Sequence, residues 1–239
     1  MNADGSAVTQ VTRSQGTDYS PTWSPDGAKI AFGRSPDGEL AGFDVFIVSA
    51  DGTSEERIVS EPGLDMRPFF SPDGRKLAFN SDRTGARQIY VLDLASRDLE
   101  QLTRGDAHSD WVWWSQATDH LFFESNRDGQ WEVYSMTLSG ADQTRLTFES
   151  GGAPAVSSDG KLIAFQSNRD GDWEIFIMHL DGSNLAQLTN NDAMDRLPAW
   201  KPDGSLLAFS SNRSGNERIY SMAADGSRPK LLSVPTAAD

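Results

Sequence analysis

The sequence predicts an all-β fold, a β-propeller of four-stranded blades, and three observations carry this prediction. A unit recurs five times, at spacings of 42 to 47 residues, within the 239 residues of the chain. Each unit has room for four short strands separated by turn residues. No stretch shows a sustained period of 3.6 residues, so we expect almost no helix. Four strands in a repeat of about 40–45 residues are typical of a propeller blade.

The units are recognised from columns of residues that recur in register. The anchor column is aromatic in four of five units and consists of Trp23, Phe70, Trp114, Val156 and Trp200. Nine residues after each anchor stands a phenylalanine, giving Phe32, Phe79, Phe123, Phe165 and Phe209. The columns divide the chain into units 17–60, 64–103, 108–147, 150–189 and 194–233. Packing of these apolar columns between neighbouring blades would form the core.

Turn chemistry separates the strands inside each unit. A Pro-Asp-Gly sequence follows the first strand in units one, two and five, where Pro fixes φ and Gly supplies a positive φ. Asn-Arg-Asp-Gly follows the second strand in units three and four and indicates a hairpin. The run 175–178, Ile-Phe-Ile-Met, is apolar throughout and predicts a third strand that is buried on both faces.

The two ends of the chain bear on how the ring closes. Residues 1–6 align with residues 178–183, and Val11 aligns with Leu188, so residues 1–12 are predicted to form an extra closing strand. Five closed blades are the favoured arrangement, and a truncated six-bladed parent is the alternative. A closed ring is expected to be monomeric, whereas an open ring would expose a sheet edge and self-associate.

Composition excludes several classes of function. The formal net charge of −14 argues against nucleic acid as a partner. No apolar run is long enough to span a bilayer, so membrane insertion is not expected. Cysteine is absent, which removes disulfides and thiol catalysis. The polar N-terminus shows no signal peptide, and the compartment is therefore left unassigned.

The repeat resembles that of the TolB family, in which WD40-like repeats build a propeller. The resemblance rests on Trp-Ser-Pro-Asp-Gly, on Ser-Asn-Arg-Asp-Gly and on Asp-Gly-Ser followed by Leu-Thr, and it covers nearly the whole chain. It implies a periplasmic, six-bladed propeller behind a smaller N-terminal domain, acting in the Tol-Pal system by binding other proteins. This sequence departs from that pattern, since it shows neither the N-terminal domain nor a signal sequence. The repeats also resemble propellers of prolyl-oligopeptidase-type peptidases and oligogalacturonate lyases.

Catalytic motifs are missing, so no catalytic residues are predicted and an enzyme is not favoured. There is no Gly-x-Ser-x-Gly elbow, no P-loop and no Gly-x-Gly-x-x-Gly. The three histidines, His108, His120 and His179, lack metal-ligand spacing. We therefore expect no bound cofactor, with one exception that concerns carboxylates.

Aspartates recur near the start of the first strand. Asp18, Asp65 and Asp195 each stand five residues before their anchor, and Asp110 is shifted by one position. First strands line the channel of a propeller, so these aspartates are predicted to ring its mouth. Such a ring would bind Ca²⁺ through Asp18, Asp65 and Asp195, or attract cationic groups. The simpler interpretation is that each aspartate caps its own loop.

The third unit departs most from its siblings. Its first strand contains Trp111 and Trp113, and Glu124 stands where other units have Gly, Asn, Gln or Ser. Tryptophans at a channel mouth suit a protein hot spot or the stacking of a sugar. Repacking of one wide gap between blades is the alternative explanation for these tryptophans.

The favoured function is a non-catalytic scaffold that binds a protein partner. The four aspartates would supply charge, the two tryptophans would be anchors, and Arg67 and Arg196 would steer an acidic group. One alternative is a carbohydrate-active enzyme or glycan-binding propeller for a small glycan, in which Asp110 or Asp65 pairs with Glu124. Another alternative is a truncated or engineered propeller fragment without activity.

Overall fold

The computed structural model describes residues 8–35, 42–60 and 62–232. These residues form five antiparallel sheets of four strands each, arranged around a central channel. The prediction of a five-bladed, all-β propeller is confirmed. No helix of the described residues has the length and apolar character needed to cross a membrane.

Each sheet is one blade, and its strands are numbered in chain order. Blade 1 contains β1 (Thr17–Trp23), β2 (Lys29–Ser35), β3 (Asp44–Ser49) and β4 (Glu55–Val59). Blade 2 contains β5 (Met66–Phe70), β6 (Lys76–Ser81), β7 (Gln88–Asp93) and β8 (Leu99–Gln101). Blade 3 contains β9 (Ser109–Trp114), β10 (His120–Ser125), β11 (Glu132–Thr137) and β12 (Thr144–Arg145). Blade 4 contains β13 (Gly152–Val156), β14 (Leu162–Ser167), β15 (Glu174–His179) and β16 (Ala186–Gln187). Blade 5 contains β17 (Asp195–Trp200), β18 (Leu206–Ser211), β19 (Arg218–Ala223) and β20 (Lys230–Leu231).

The turns between first and second strands form as their sequence predicts. In blade 1 the Asp26 carboxylate accepts hydrogen bonds from Ser24 Oγ at 2.6 Å and from the Ala28 amide at 3.0 Å. Gly27 follows with a φ of 69°, a conformation that favours glycine. Blade 3 lacks this aspartate, and there Ser115 Oγ accepts the Thr118 amide at 3.1 Å instead. A serine hydroxyl can therefore hold this turn without the Asp-Gly pair.

Every first strand carries a bulge at the same position, three residues before the anchor. The residue there has a left-handed φ of 46–56° although it is not glycine, and the five are Ser20, Arg67, Trp111, Ala153 and Leu197. The register between the first and second strands shifts at this point in each blade. A bulge re-aims a side chain and bends its strand. In each blade, the bulge thus turns one side chain away from the regular alternation between the two faces of the strand.

The core consists of four clusters, each between two consecutive blades. Between blades 1 and 2, Ala31, Val45 and Ile47 pack against Phe70, Leu77, Phe79 and Tyr90. The same columns recur in the clusters between the later blades. We call the face with the anchor and phenylalanine columns the leading face of a blade, and the opposite face its trailing face. Each internal interface joins one trailing face to the next leading face.

The predicted closing strand is not seen in the described residues. Residues 8–12 belong to none of the five sheets, and residues 1–7 lie outside the described residues. Blade 5 already has its own fourth strand, β20, which takes the place that the closing strand would need. Val11 instead lies against blade 1, because a Cβ on Gly52 would be 2.6 Å from the Val11 carbonyl oxygen.

Candidate functional site

A central cavity of about 540 Å³ opens between the first strands of blades 1, 2, 3 and 5. Its lining is largely apolar and aromatic, and includes Trp23, Phe69, Trp111, Trp113 and Leu197. Phe69 and Trp113 pack against each other with ring centroids 4.7 Å apart. This cavity, which we call the channel cavity, has the size and apolar character of a ligand pocket.

Arg67 is the cationic group of the channel cavity. Its guanidinium carbon lies 4.1 Å from the ring centre of Trp111, within the range of a cation–π contact. Arg67 and Trp111 occupy the bulge positions of blades 2 and 3, with φ values of 53° and 52°. The bulge therefore explains how two side chains from neighbouring strands come to face one another.

Asp110 lies behind this pair and is almost completely buried. One carboxylate oxygen accepts Arg67 Nη1 at 2.7 Å and the Trp111 amide at 2.8 Å. The other oxygen lies 3.1 Å from Arg87 Nε. A buried carboxylate needs this compensation, because losing water costs an unpaired charge several kcal/mol. Asp110 thus holds Arg67 in place against Trp111.

Glu124 is a second carboxylate of this region and is half-buried. Burial raises the pKa of Glu124 to about 7, and the charge of Asp110 adds to this, while the Ala153 amide and the two arginines oppose it. The Ala153 amide donates to Glu124 Oε2 at 2.8 Å. A Cβ on Gly152 would lie only 2.5 Å from that oxygen. The glycine of blade 4 therefore makes the space that Glu124 occupies.

Glu124 belongs to a column of side chains that reach from one blade to the next. In blade 4 the equivalent Gln166 accepts the Leu197 amide at 3.0 Å. In blade 2 the equivalent Asn80 donates to the Ser109 carbonyl oxygen at 3.1 Å. The position thus joins adjacent blades near the bulge. Glu124 performs this task with an ionisable group where its neighbours use amides.

The structure does not assemble the predicted aspartate ring. Three of the four aspartates pair instead with an arginine of their own blade: Asp18 with Arg34 at 2.6 Å, Asp65 with Arg83 at 2.9 Å and Asp195 with Arg213 at 2.6 Å. These arginines also stack over the phenylalanine column and its partner ring. Within the described ranges, no group of three or more His, Asp or Glu side chains could hold a metal ion. A Ca²⁺ ligand set of Asp18, Asp65 and Asp195 is therefore not present there.

Among the other predicted residues, Arg67, Trp111 and Trp113 line the channel cavity, with Asp110 and Glu124 near them. Arg196 does not line it, and pairs with Glu217 at 3.3 Å. The sequence analysis missed Arg87, Phe69 and the exposure of Trp23. Arg87 gave no signal, because it stands outside the repeated columns. Phe69 was detectable, since it precedes an anchor and lies two residues after Arg67 in the same strand.

Comparison with known proteins supports the fold assignment. A solved TolB structure from Agrobacterium tumefaciens is 25% identical, with a TM-score of 0.83 over 93% of this chain and 83% of that one. TolB from Acinetobacter baumannii is 26% identical, with a TM-score of 0.81. The match covers 95% of this chain, which spans 57% of the Acinetobacter protein. A search of the curated proteins found no match.

An oligogalacturonate lyase in complex with manganese is 18% identical, with a TM-score of 0.67 over 90% of this chain and 65% of the lyase. At this identity the likeness concerns the fold alone. The family profile of the TolB beta propeller domain matches residues 1–152 and 149–238. The match thus spans all five blades, together with the repeated columns that form their interfaces. The chain belongs to the TolB β-propeller domain family.

Proposed function

We propose that this protein is a non-catalytic scaffold that binds a protein partner through the channel cavity. The observation that carries the proposal is the aromatic lining, in which Trp23, Phe69, Trp111 and Trp113 face one space beside Arg67. Tryptophan and arginine are the residue types most often found at binding hot spots. The partner would insert an apolar or aromatic side chain among these rings.

The titratable groups near the cavity support binding rather than catalysis. Both oxygens of Asp110 are engaged by arginines, and Glu124 is enclosed against blade 4. A glycosidase needs two carboxylates that reach the scissile bond from its two sides. Asp110 is buried and paired with arginines, and Asp65 is buried against Arg83, so neither is placed to reach a scissile bond together with the half-buried Glu124. These contacts disfavour the predicted carboxylate pairs as an acid–base couple.

Net charge bears on the kind of partner. The chain carries a formal charge of −14, which repels polyanions and accelerates encounters with basic surfaces. A partner with a basic surface around an apolar anchor therefore fits best. Arg67 would contact the anchor through its face, since its charge is already paired with Asp110.

Glycan binding is the second candidate, and the same aromatic rings favour it. Trp23 exposes more than half of its side chain, and sugars stack on exposed tryptophan faces. The two candidates differ in ligand size. A glycan would be held inside the cavity alone, whereas a protein would also cover the surrounding loops.

The test compares the parent chain with Trp111→Ala and with Phe148→Ala. Phe148 is an exposed aromatic residue that does not line the channel cavity, so it is a matched control. Crosslinking of a purified candidate partner should fall at least about tenfold in Trp111→Ala and stay unchanged in Phe148→Ala. An oligosaccharide panel, measured by thermal shift, runs in parallel. Equal crosslinking in both variants would contradict the scaffold proposal, and a saccharide shift lost in Trp111→Ala would favour the glycan.

A further inference from the structure

Glu124 and Asp110 are neighbouring carboxylates on two paired strands. The register of β9 and β10 places Asp110 directly opposite Glu124, so their side chains share one face of blade 3. Like charges that stand opposite each other in a sheet repel. Ionisation of Glu124 therefore adds a negative charge beside one that is already present, and the two arginines nearby must respond to it.

Neither of these arginines has all its donors satisfied. Among the described residues, Arg67 donates only from Nη1, to Asp110 at 2.7 Å, which leaves its Nε and Nη2 groups without a protein acceptor. Arg87 Nε lies 3.1 Å from the other Asp110 oxygen but makes no hydrogen bond of good geometry. With Glu124 neutral, the cluster has two cations for one anion. An ionised Glu124 would supply a second anionic acceptor.

The remaining surroundings of Glu124 are uncharged. On β11 the residue opposite Glu124 is Val133, and on β13 the Ala153 amide donates to Glu124 Oε2 at 2.8 Å. Gln166 of β14, which lies near the same glycine, carries a neutral amide. The charged groups that act most strongly on Glu124 are Asp110, Arg67 and Arg87. Burial and the Asp110 charge raise the pKa of Glu124, the two arginines and the amide lower it, and the balance lies at about 7.

Arg67 links this cluster to the channel cavity. Its guanidinium carbon lies 4.1 Å from the centre of the Trp111 ring, and its side chain is partly exposed. A charge-assisted hydrogen bond is stronger than a cation–π contact at a partly exposed site. An ionised Glu124 therefore attracts Arg67 away from the ring. Trp111 itself stays in place, because its amide donates to Asp110 at 2.8 Å.

We propose that Glu124 is a pH-dependent switch of the channel cavity. With Glu124 protonated, Arg67 lies over Trp111 and forms part of the cavity wall. With Glu124 ionised, Arg67 moves towards the two carboxylates and uncovers the Trp111 ring, so that the wall loses its cation. The movement of Arg67 depends on the cluster alone, whereas its effect on a partner rests on the proposed function.

The movement is measured by nuclear magnetic resonance of the full chain between pH 5 and pH 9. Protons of the Arg67 side chain are shifted upfield by the ring current of Trp111, and this shift should disappear with a midpoint near pH 7. In Glu124→Gln the upfield shift should persist over the whole range, because glutamine stays neutral. Glu149→Gln removes an exposed glutamate and should titrate like the parent. His108, whose ring accepts a main-chain amide next to the cluster, is present in all three proteins, so the comparison isolates Glu124.

Three results of this experiment would overturn the proposal. The first is an upfield shift of Arg67 that stays constant in the parent between pH 5 and pH 9. The second is a shift that changes with pH equally in the parent and in Glu124→Gln. The third is the absence of an upfield shift at every pH, since Arg67 would then not lie over Trp111 in solution.

Crosslinking of the candidate partner at pH 6 and pH 8.5 tests the effect on binding. In the parent it should fall at the higher pH by about two- to fivefold, the change that corresponds to one cation–π contact, and in Glu124→Gln it should not. Crosslinking that is lost in Trp111→Ala but is equal at the two pH values would overturn the regulation. A titrating Arg67 shift together with normal crosslinking in Trp111→Ala would contradict the proposed function and leave the movement of Arg67 standing.

Discussion

Replacing Glu124 with glutamine should make the protein more stable above neutral pH and change little below pH 5. Burial raises the pKa of Glu124 to about 7, from 4.5 for the free side chain. The folded state therefore holds a proton that the unfolded state releases between these two values. The stability that this proton contributes is present in full below pH 4.5 and is lost as the pH rises through about 7. Glutamine carries no charge and removes this loss.

The magnitude follows from the difference between the two pKa values of Glu124. Each pKa unit corresponds to 1.36 kcal/mol, so the ionised glutamate costs about 3 kcal/mol at pH 8. For a chain of this length, 1 kcal/mol shifts the melting temperature by about 2–4 °C. We therefore expect a gain of about 6–12 °C at pH 8. Gln166, which accepts an amide at the equivalent place in blade 4, shows that glutamine fits the position.

The assay is thermal unfolding of parent and variant in parallel between pH 4.5 and pH 8.5. The difference in melting temperature between variant and parent is taken at each pH, which cancels the contributions of other groups that titrate in this range. Glu174 is one of them, since burial raises its pKa to about 7. Glu149→Gln is the control. This glutamate is exposed, so the difference in melting temperature from the parent should not change with pH. A constant difference across the pH range, or a variant less stable at pH 8, would refute the role assigned to Glu124.

Two further predictions concern the contacts that hold the blades. Arg213→Ala leaves Asp195 buried without its cation and should lower the free energy of unfolding by about 3–5 kcal/mol, measured by urea denaturation. Gly152→Ala should cost about 1–3 kcal/mol, because its Cβ would lie 2.5 Å from Glu124 Oε2, and moving this oxygen away breaks its hydrogen bond from the Ala153 amide. Gly33→Ala, where the nearest atoms are 3.5 Å away, is the matched control and should cost less than 1 kcal/mol. Equal losses in the two glycine variants would argue against the predicted clash.

Most of the fold could be predicted from the sequence, because the repeat makes each local signal appear five times. The phenylalanine column is buried in every blade, and the turns form at the predicted places. The junction of blades 5 and 1 could not be predicted in this way. Closure depends on contacts between residues far apart in the chain, and no turn or periodic pattern reports on them. Trp23 looks like any other anchor in the sequence, yet it is exposed.

The candidate site was only partly predictable, and the aspartates show why. Their column was recognised, but their partners were not. An arginine column also stands four residues after the phenylalanine in blades 2 to 5, and the turn motif Asn-Arg-Asp-Gly concealed it in units three and four; its members are Arg83, Arg127, Arg169 and Arg213. An aspartate and an arginine that recur together, as in blades 2 and 5, indicate ion pairs inside the blade. A metal ring would instead require aspartates without cationic partners.

The positions at which units three and four differ in sequence from the other units are physically linked. Ser109 holds the aspartate position of blade 3, where its hydroxyl accepts Arg127 Nη2 at 3.2 Å. Asp110 is thereby free to face Arg67 and Arg87 instead of its own blade's arginine. Glu124 next to it can be accommodated only because blade 4 has a glycine at position 152.

These linked departures collect four charged side chains at one place in an otherwise regular ring. Asp110 and Glu124 of blade 3 lie next to Arg67 and Arg87 of blade 2, and Arg67 lines the channel cavity. A cluster of this kind stabilises the fold less than apolar packing of the same volume would. What it does provide is a fixed orientation for Arg67 and, through their contact, for Trp111. The asymmetry is therefore better explained by the shape of the binding surface than by stability.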